Sequence, residues 1–108
     1  MKLVIAIINN DDSSIVLSEL TEKGYFVTKL SSTGGFLKKG NTTILLGVED
    51  DKVNDCIQII KDNAHKRVIS EPVISPRDMS DIMSPTMVDV SVGGATIFVL
   101  PIESSIKV

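Results

Sequence analysis

The chain has little with which to staple itself or hold a metal: among 108 residues there is one cysteine, one histidine, one tyrosine and no tryptophan. A lone Cys56 cannot close an intramolecular disulfide. Cys56 and His65 together fall short of a structural zinc site, and no D-x-D-x-D-G run offers a calcium loop. Long hydrophobic runs are missing too. The opening MKLVIAIINNDD carries one unbroken apolar stretch, Leu3 to Ile8, too short for a secretion signal or a membrane span. A cytoplasmic protein without membrane attachment is expected. Positive charge is scarce as well: 11 Lys and Arg stand against 14 Asp and Glu, and a net charge of −3 provides no field to hold a polyanion. Nucleic acid is therefore excluded as a bulk partner, and any phosphate must be recognised locally.

What is present is largely β-branched. Fourteen Ile and twelve Val against eight Leu, in a chain that is 43% apolar and 23% charged, point to one small domain, residues 1–108, with a sheet-rich core. Leu3 to Ile8 reads as a central strand. The following Asn9-Asn10-Asp11-Asp12 opens a helix over about 12–23, capped by Asp11 or Asp12 and ended by Gly24 in the left-handed conformation. Tyr25 to Leu30 and Thr42 to Val48 form a hairpin with a long loop. Asp50 caps a second helix whose Val53, Cys56, Ile57, Ile60 and Ala64 make one apolar stripe, with His65, Lys66 and Arg67 at its end to complement the dipole. RVISEPVI, with its proline, suits an edge strand, residues 75–86 a long loop, and Val88–Val92 with Thr96–Leu100 a hairpin about Gly93-Gly94. This order, β-α-β-β-α-β with an extra strand, is the ferredoxin-like α+β arrangement, in which two helices cover one face of an antiparallel sheet. The run TTILLGV is apolar on both sides, so self-association into a closed homo-oligomer is expected to bury the other face.

Groups suited to catalysis are few. Cys56 lies on the apolar stripe, His65 stands at a helix end, and Asp11-Asp12 and Asp50-Asp51 fall where helices begin, which leaves no acid–base pair. The informative stretch is Thr33-Gly34-Gly35-Phe36-Leu37-Lys38-Lys39-Gly40-Asn41-Thr42-Thr43. Adjacent glycines let backbone N–H groups converge on an anion at Gly35 and Phe36, and Lys38 and Lys39 add charge. Asn41 carries the donor and acceptor that match the N6/N7 edge of adenine, and the Phe36 ring can stack on a base. Together these describe an adenine-nucleotide site, although the same stretch also reads as a glycine-rich hairpin loop with a solvated lysine pair. The P-loop spacing G-x-x-x-x-G-K-[ST] is absent. Gly93-Gly94 reads as a turn, or as a wall against which a ligand packs.

These motifs, together with Thr28-Lys29-Leu30, Gly47-Val48 and the run from Val92 to Pro101 (VGGATIFVLP), resemble the PII-like cyclic di-AMP receptor proteins of Gram-positive bacteria, and the similarity spans essentially the whole chain. The resemblance implies a ferredoxin-like homotrimer without catalytic activity or cofactor, binding cyclic di-AMP in clefts between subunits and signalling to a downstream protein that the sequence does not name. It also implies that Gly35, Phe36 and Leu37 line the cleft, Asn41 reads an adenine edge, Thr28 and Gly47 contact the same nucleotide, and Gly93, Gly94 and Phe98 come from the neighbouring side. Residues 33–41 look like the short T-loop of these proteins and 75–86 like their enlarged B-loop. Two positions depart from the pattern: Phe26 stands where many relatives carry a basic residue, and Gly24 where asparagine is frequent.

Three rivals share parts of this description. An acylphosphatase-like enzyme of the same fold needs an arginine in the loop after the first strand, and here that turn, Asn9 to Asp12, is acidic. An RNA-binding module needs more stacked aromatics and a basic surface than Tyr25, Phe26, Phe36 and Phe98 provide. A conventional PII regulator binding ATP carries a much longer loop between its second and third strands.

Overall fold

Strand β1 (Lys2–Asn9) holds the apolar run from Leu3 to Ile8 and pairs along both edges. In a computed structural model, which describes residues 1–30, 40–73 and 86–108, it is followed by α1 (Asn10–Glu22), β2 (Thr28–Leu30), β3 (Asn41–Val48) and a single 3-10 turn at Asp50–Lys52. Then come α2 (Val53–Ala64), β4 (Arg67–Val73), β5 (Thr86–Val92) and β6 (Ala95–Pro101). The main sheet has the order β2-β3-β1-β6, antiparallel throughout, and β4 and β5 form a separate two-stranded ribbon. This is the ferredoxin-like arrangement expected. Its fourth strand, however, is β6.

The expected hairpin about Gly93-Gly94 does not form. Strand β5 pairs with β4 in the register Ile69↔Val90, while β6 crosses to the free edge of β1 in the register Ile5↔Phe98. Two strands are thus inserted between α2 and the last strand of the sheet, in place of one extra strand. Gly93 (φ +78°) and Gly94 (φ +88°) make the change of sheet, in a backbone conformation that disfavours any residue with a Cβ. The physical reason is core formation: paired to β1, β6 brings Ile97 against the buried cluster, to which no described side chain of the ribbon belongs.

Helix ends account for the other differences. The carboxamide of Asn9 accepts the backbone N–H of Asp11 at 3.0 Å, so Asn9 caps α1 in place of the expected Asp11 or Asp12 and the helix starts two residues early. Gly24 ends α1 as expected, with φ +91° and the paired bonds Gly24 N–H to Thr21 O and Tyr25 N–H to Leu20 O of a Schellman motif. Tyr25 to Val27 stay outside β2 because this turn sends the chain toward α2 first. Asp50 does not cap α2; its carboxylate meets the N-terminal ammonium of Met1 at 2.8 Å, which holds it below the usual carboxylate range. Arg67 leaves the helix end for Asp12, and the last helical carbonyl of α2, at Ala64, accepts the N–H of Gly94 at 2.5 Å.

The core lies between one face of the sheet and the two helices. Val4, Ala6 and Ile8 of β1 and Ile44, Leu46 and Val48 of β3 alternate inward, as period-two side chains must, and meet Val16, Leu20, Cys56, Ile60 and Ala64. Leu20 is fully buried, so Leu20→Ala is expected to lower the unfolding free energy by about 2–5 kcal/mol, the range for a Leu-to-Ala cavity. A chemical-denaturation midpoint unchanged from that of the parent chain contradicts this packing. Burial pushes the Cys56 thiol up to about 11, with the Asp55 charge a smaller cause. At pH 8 a thiol reagent is expected to label Cys56 only after denaturant is added, and rapid labelling of the native protein contradicts its place in the core.

Candidate functional site

The sheet face turned away from the helices carries the second set of alternating residues. Direct cross-strand partners share a face, and the register aligns Thr28, Leu45, Ile5 and Phe98 in one row across all four strands. Adjacent rows hold Gly47, Leu3 and Leu100, and Leu30, Thr43, Ile7 and Thr96, with Asn41 opposite Asn9 at the far end. Much of this face stands open in the described chain: Phe98 is 50% exposed, Leu100 43% and Leu30 38%, and Leu3, Ile5, Ile7 and Leu45 are half-buried, while Thr43 is buried and the Ile102 side chain packs over Gly47. The apolar second face expected from TTILLGV is present.

Four of the expected site residues, Thr28, Asn41, Gly47 and Phe98, fall on this one face. They do not converge within one chain. Thr28 on β2 and Phe98 on β6 occupy opposite edges, three inter-strand spacings or about 14 Å apart. Asn41 and Gly47 are six residues apart along β3, about 20 Å. Gly35, Phe36 and Leu37 lie outside the described residues, as do Lys38 and Lys39. Of the expected loops, 33–41 is described only at Gly40 and Asn41, and 75–86 only at Thr86.

Gly47 does have close company at its own end. With Gly24 and Phe26 it lines a groove of about 490 Å³ at the turn between α1 and β2, whose lining also includes Lys23, Lys52, Glu49 and Asp55. Phe26, 93% exposed, is a rim residue. Tyr25 ties this turn to α2: its hydroxyl donates to Asp55 Oδ2 at 2.6 Å. Burial, then this bond and the Asp55 charge, push the Tyr25 hydroxyl up to about 12. Neither the groove nor the tie was visible in the sequence, since Tyr25 and Asp55 are 30 positions apart with no shared motif.

Gly93 and Gly94 stand at the other end, beside the start of β6. A Cβ on Gly93 would lie 2.5 Å from Arg67 Nη1 and 2.7 Å from the carbonyl oxygen of His65. Packing alone therefore requires glycine there. Arg67 in turn holds the buried Asp12 carboxylate at 2.9 Å, which raises the guanidinium above its ordinary range. Among the described residues no three His, Cys, Asp or Glu side chains gather as metal ligands, and no helix is long and apolar enough to cross a membrane.

A family model described as "Cyclic-di-AMP receptor" matches residues 1–108, the whole chain. The chain belongs to the cyclic-di-AMP receptor family. Its fold is similar to that in the crystal structure of a functionally unknown protein from Pediococcus pentosaceus ATCC 25745. The two share 36% identity over 99% of this chain and 96% of that chain, with a TM-score of 0.74. Gly24 and Phe26, the two positions that the resemblance marks as unusual, both line this groove.

Tyr25 is the sole tyrosine, so ultraviolet titration of tyrosinate reads this tie directly. The native midpoint is expected near 12, moving toward the ordinary 10.0 in Asp55→Asn. Because the folded value is raised, the Tyr25 contribution to stability is complete below about pH 10 and is lost as pH rises toward 12. A native midpoint of 10 contradicts the hydrogen bond.

Proposed function

We propose that this chain is a non-enzymatic, cytoplasmic receptor that binds cyclic di-AMP in the clefts of a PII-like homotrimer and signals by rearranging the segments 33–41 and 75–86. The observation that carries the reading is the largely open apolar sheet face with Thr28 and Phe98 at its opposite edges. On this reading one dinucleotide touching both residues lies where the β2 edge of one copy meets the β6 edge of another. Family membership supports the choice of ligand.

On this reading Thr28, Gly35, Phe36, Leu37, Asn41 and Gly47 of one protomer contact the nucleotide. Gly93, Gly94 and Phe98 belong to its neighbour. Backbone N–H groups at Gly35 and Phe36 meet phosphate, and the Asn41 carboxamide pairs with an adenine edge. Stacking of copies over Leu3, Ile5, Ile7 and Leu45 removes apolar surface from water, the general drive for association. The nucleotide selects among loop arrangements in proportion to its differential affinity, typically about 1–3 kcal/mol for coupled sites, and the downstream protein reads the result.

Calorimetric titration with cyclic di-AMP and, in parallel, ATP tests the ligand, and native mass tests the assembly. The expected result is a trimer that binds cyclic di-AMP in preference to ATP. Asn41→Ala is expected to weaken binding by about 1–3 kcal/mol, by leaving a buried group of the base unpaired, without changing the mass. A monomer that gives no heat with cyclic di-AMP overturns the proposal, and preferential binding of ATP transfers the site to another adenine nucleotide.

A further inference from the structure

Asp12 is a charged residue whose side chain is 6% exposed, and the nucleotide site does not use it. It stands in the first turn of α1, and its two oxygens accept from Arg67 Nη2 at 2.9 Å and Arg67 Nη1 at 3.2 Å. Arg67 is the first residue of β4, so this two-pronged pair joins the body of the molecule to the base of the ribbon across 55 positions of sequence. Arg67 Nη1 also donates to the carbonyl oxygen of His65 at 3.3 Å. Gly93, directly after β5, packs on the same spot, with the position of a Cβ 3.0 Å from Asp12 Oδ2. Both strands of the ribbon therefore enter and leave beside one buried carboxylate.

The same helical turn holds a second feature. The N–H of Asn10 donates to the carbonyl oxygen of Gly40 at 2.9 Å, and the Thr42 hydroxyl meets Asn10 Oδ1 at 2.5 Å. Gly40 has φ +96° and immediately precedes β3. Asn10 and Asp12 are two residues apart in the first turn of α1.

We infer that the first turn of α1 mechanically couples the entry to β3 at Gly40 to the base of the β4–β5 ribbon, with the Asp12–Arg67 pair as the coupling bond. A helical turn is stiff, and a buried carboxylate separated from its guanidinium is costly to leave unpaired, so a displacement at Asn10 is passed to Arg67 rather than absorbed. Two elements biased by one network influence each other reciprocally. The coupling is a property of the chain; its use in signalling rests on the reading that the nucleotide binds beside Gly40 and Asn41.

Hydrogen exchange on the full-length protein tests it, first without nucleotide. Thr42→Val, which removes the bond to Asn10, is expected to speed exchange at least threefold in the ribbon amides of β4 and β5. Arg67→Gln, a change at a half-exposed side chain, is expected to do the same at Gly40 to Thr42, and the double variant to be no faster at either end than the corresponding single. Changes confined to the substituted end in both variants overturn the inference. Asp12→Asn serves as a second route to the same bond, and far-ultraviolet circular dichroism verifies the fold of each variant. Saturating cyclic di-AMP is then expected to alter ribbon exchange in the parent chain and not in Arg67→Gln, with heat of binding in both. Absence of heat in the parent chain counts against the nucleotide reading alone, because the ligand-free comparison has already decided the coupling. Heat without any change in ribbon exchange in the parent removes the signalling use.

Discussion

The hydrogen bonding of β1 on both edges is the constraint from which the rest of the molecule takes its place. A strand paired on one side to β3 and on the other to β6 has no free edge, so every inward residue from Val4 to Ile8 must be covered by helices and every outward residue from Leu3 to Ile7 faces whatever lies beyond the sheet. Both faces of β1 are apolar, and the two helices reach only one. The largely open second face, with Thr28 and Phe98 at its edges, follows from that arithmetic of surfaces.

Much of the architecture was legible because it depends on local patterns. The unbroken run in β1, the stripe Val53, Cys56, Ile57, Ile60 and Ala64 in α2, and the left-handed Gly24 at the end of α1 are each written in a few adjacent residues. Pairing is a different matter. Val88–Val92 and Thr96–Leu100 flank a glycine pair and carry every local sign of a hairpin, yet β6 leaves for the edge of β1, where Ile97 gains burial that β5 cannot offer. A long-range gain in buried surface outweighed a short-range turn signal, and no window of sequence contains both terms.

The candidate site was legible to a lesser degree and for a related reason. Thr28, Asn41, Gly47 and Phe98 sit on one face, as the sheet period requires, while the turn that brings Gly24 and Phe26 beside Gly47 depends on a bond from Tyr25 to Asp55 on another element. Asp12 shows the same limit. Its position in a run of polar residues suggested a helix cap, and Asn9 supplies that cap from one turn earlier. Asp12 is thereby left to a partner 55 residues away, which the local sequence does not announce.

The placement of Thr28 and Phe98 at the two margins of the sheet bears on symmetry. A contact that joins one margin to the other uses two different patches, and such head-to-tail joints either close into rings or run on as filaments; they do not form two-fold dimers. If recognition needs both patches, an isolated copy owns two unfinished halves and no whole pocket. Sensing by such a molecule then varies with the abundance of the protein as well as with that of its ligand, and dilution below the association threshold silences it even when the ligand is plentiful.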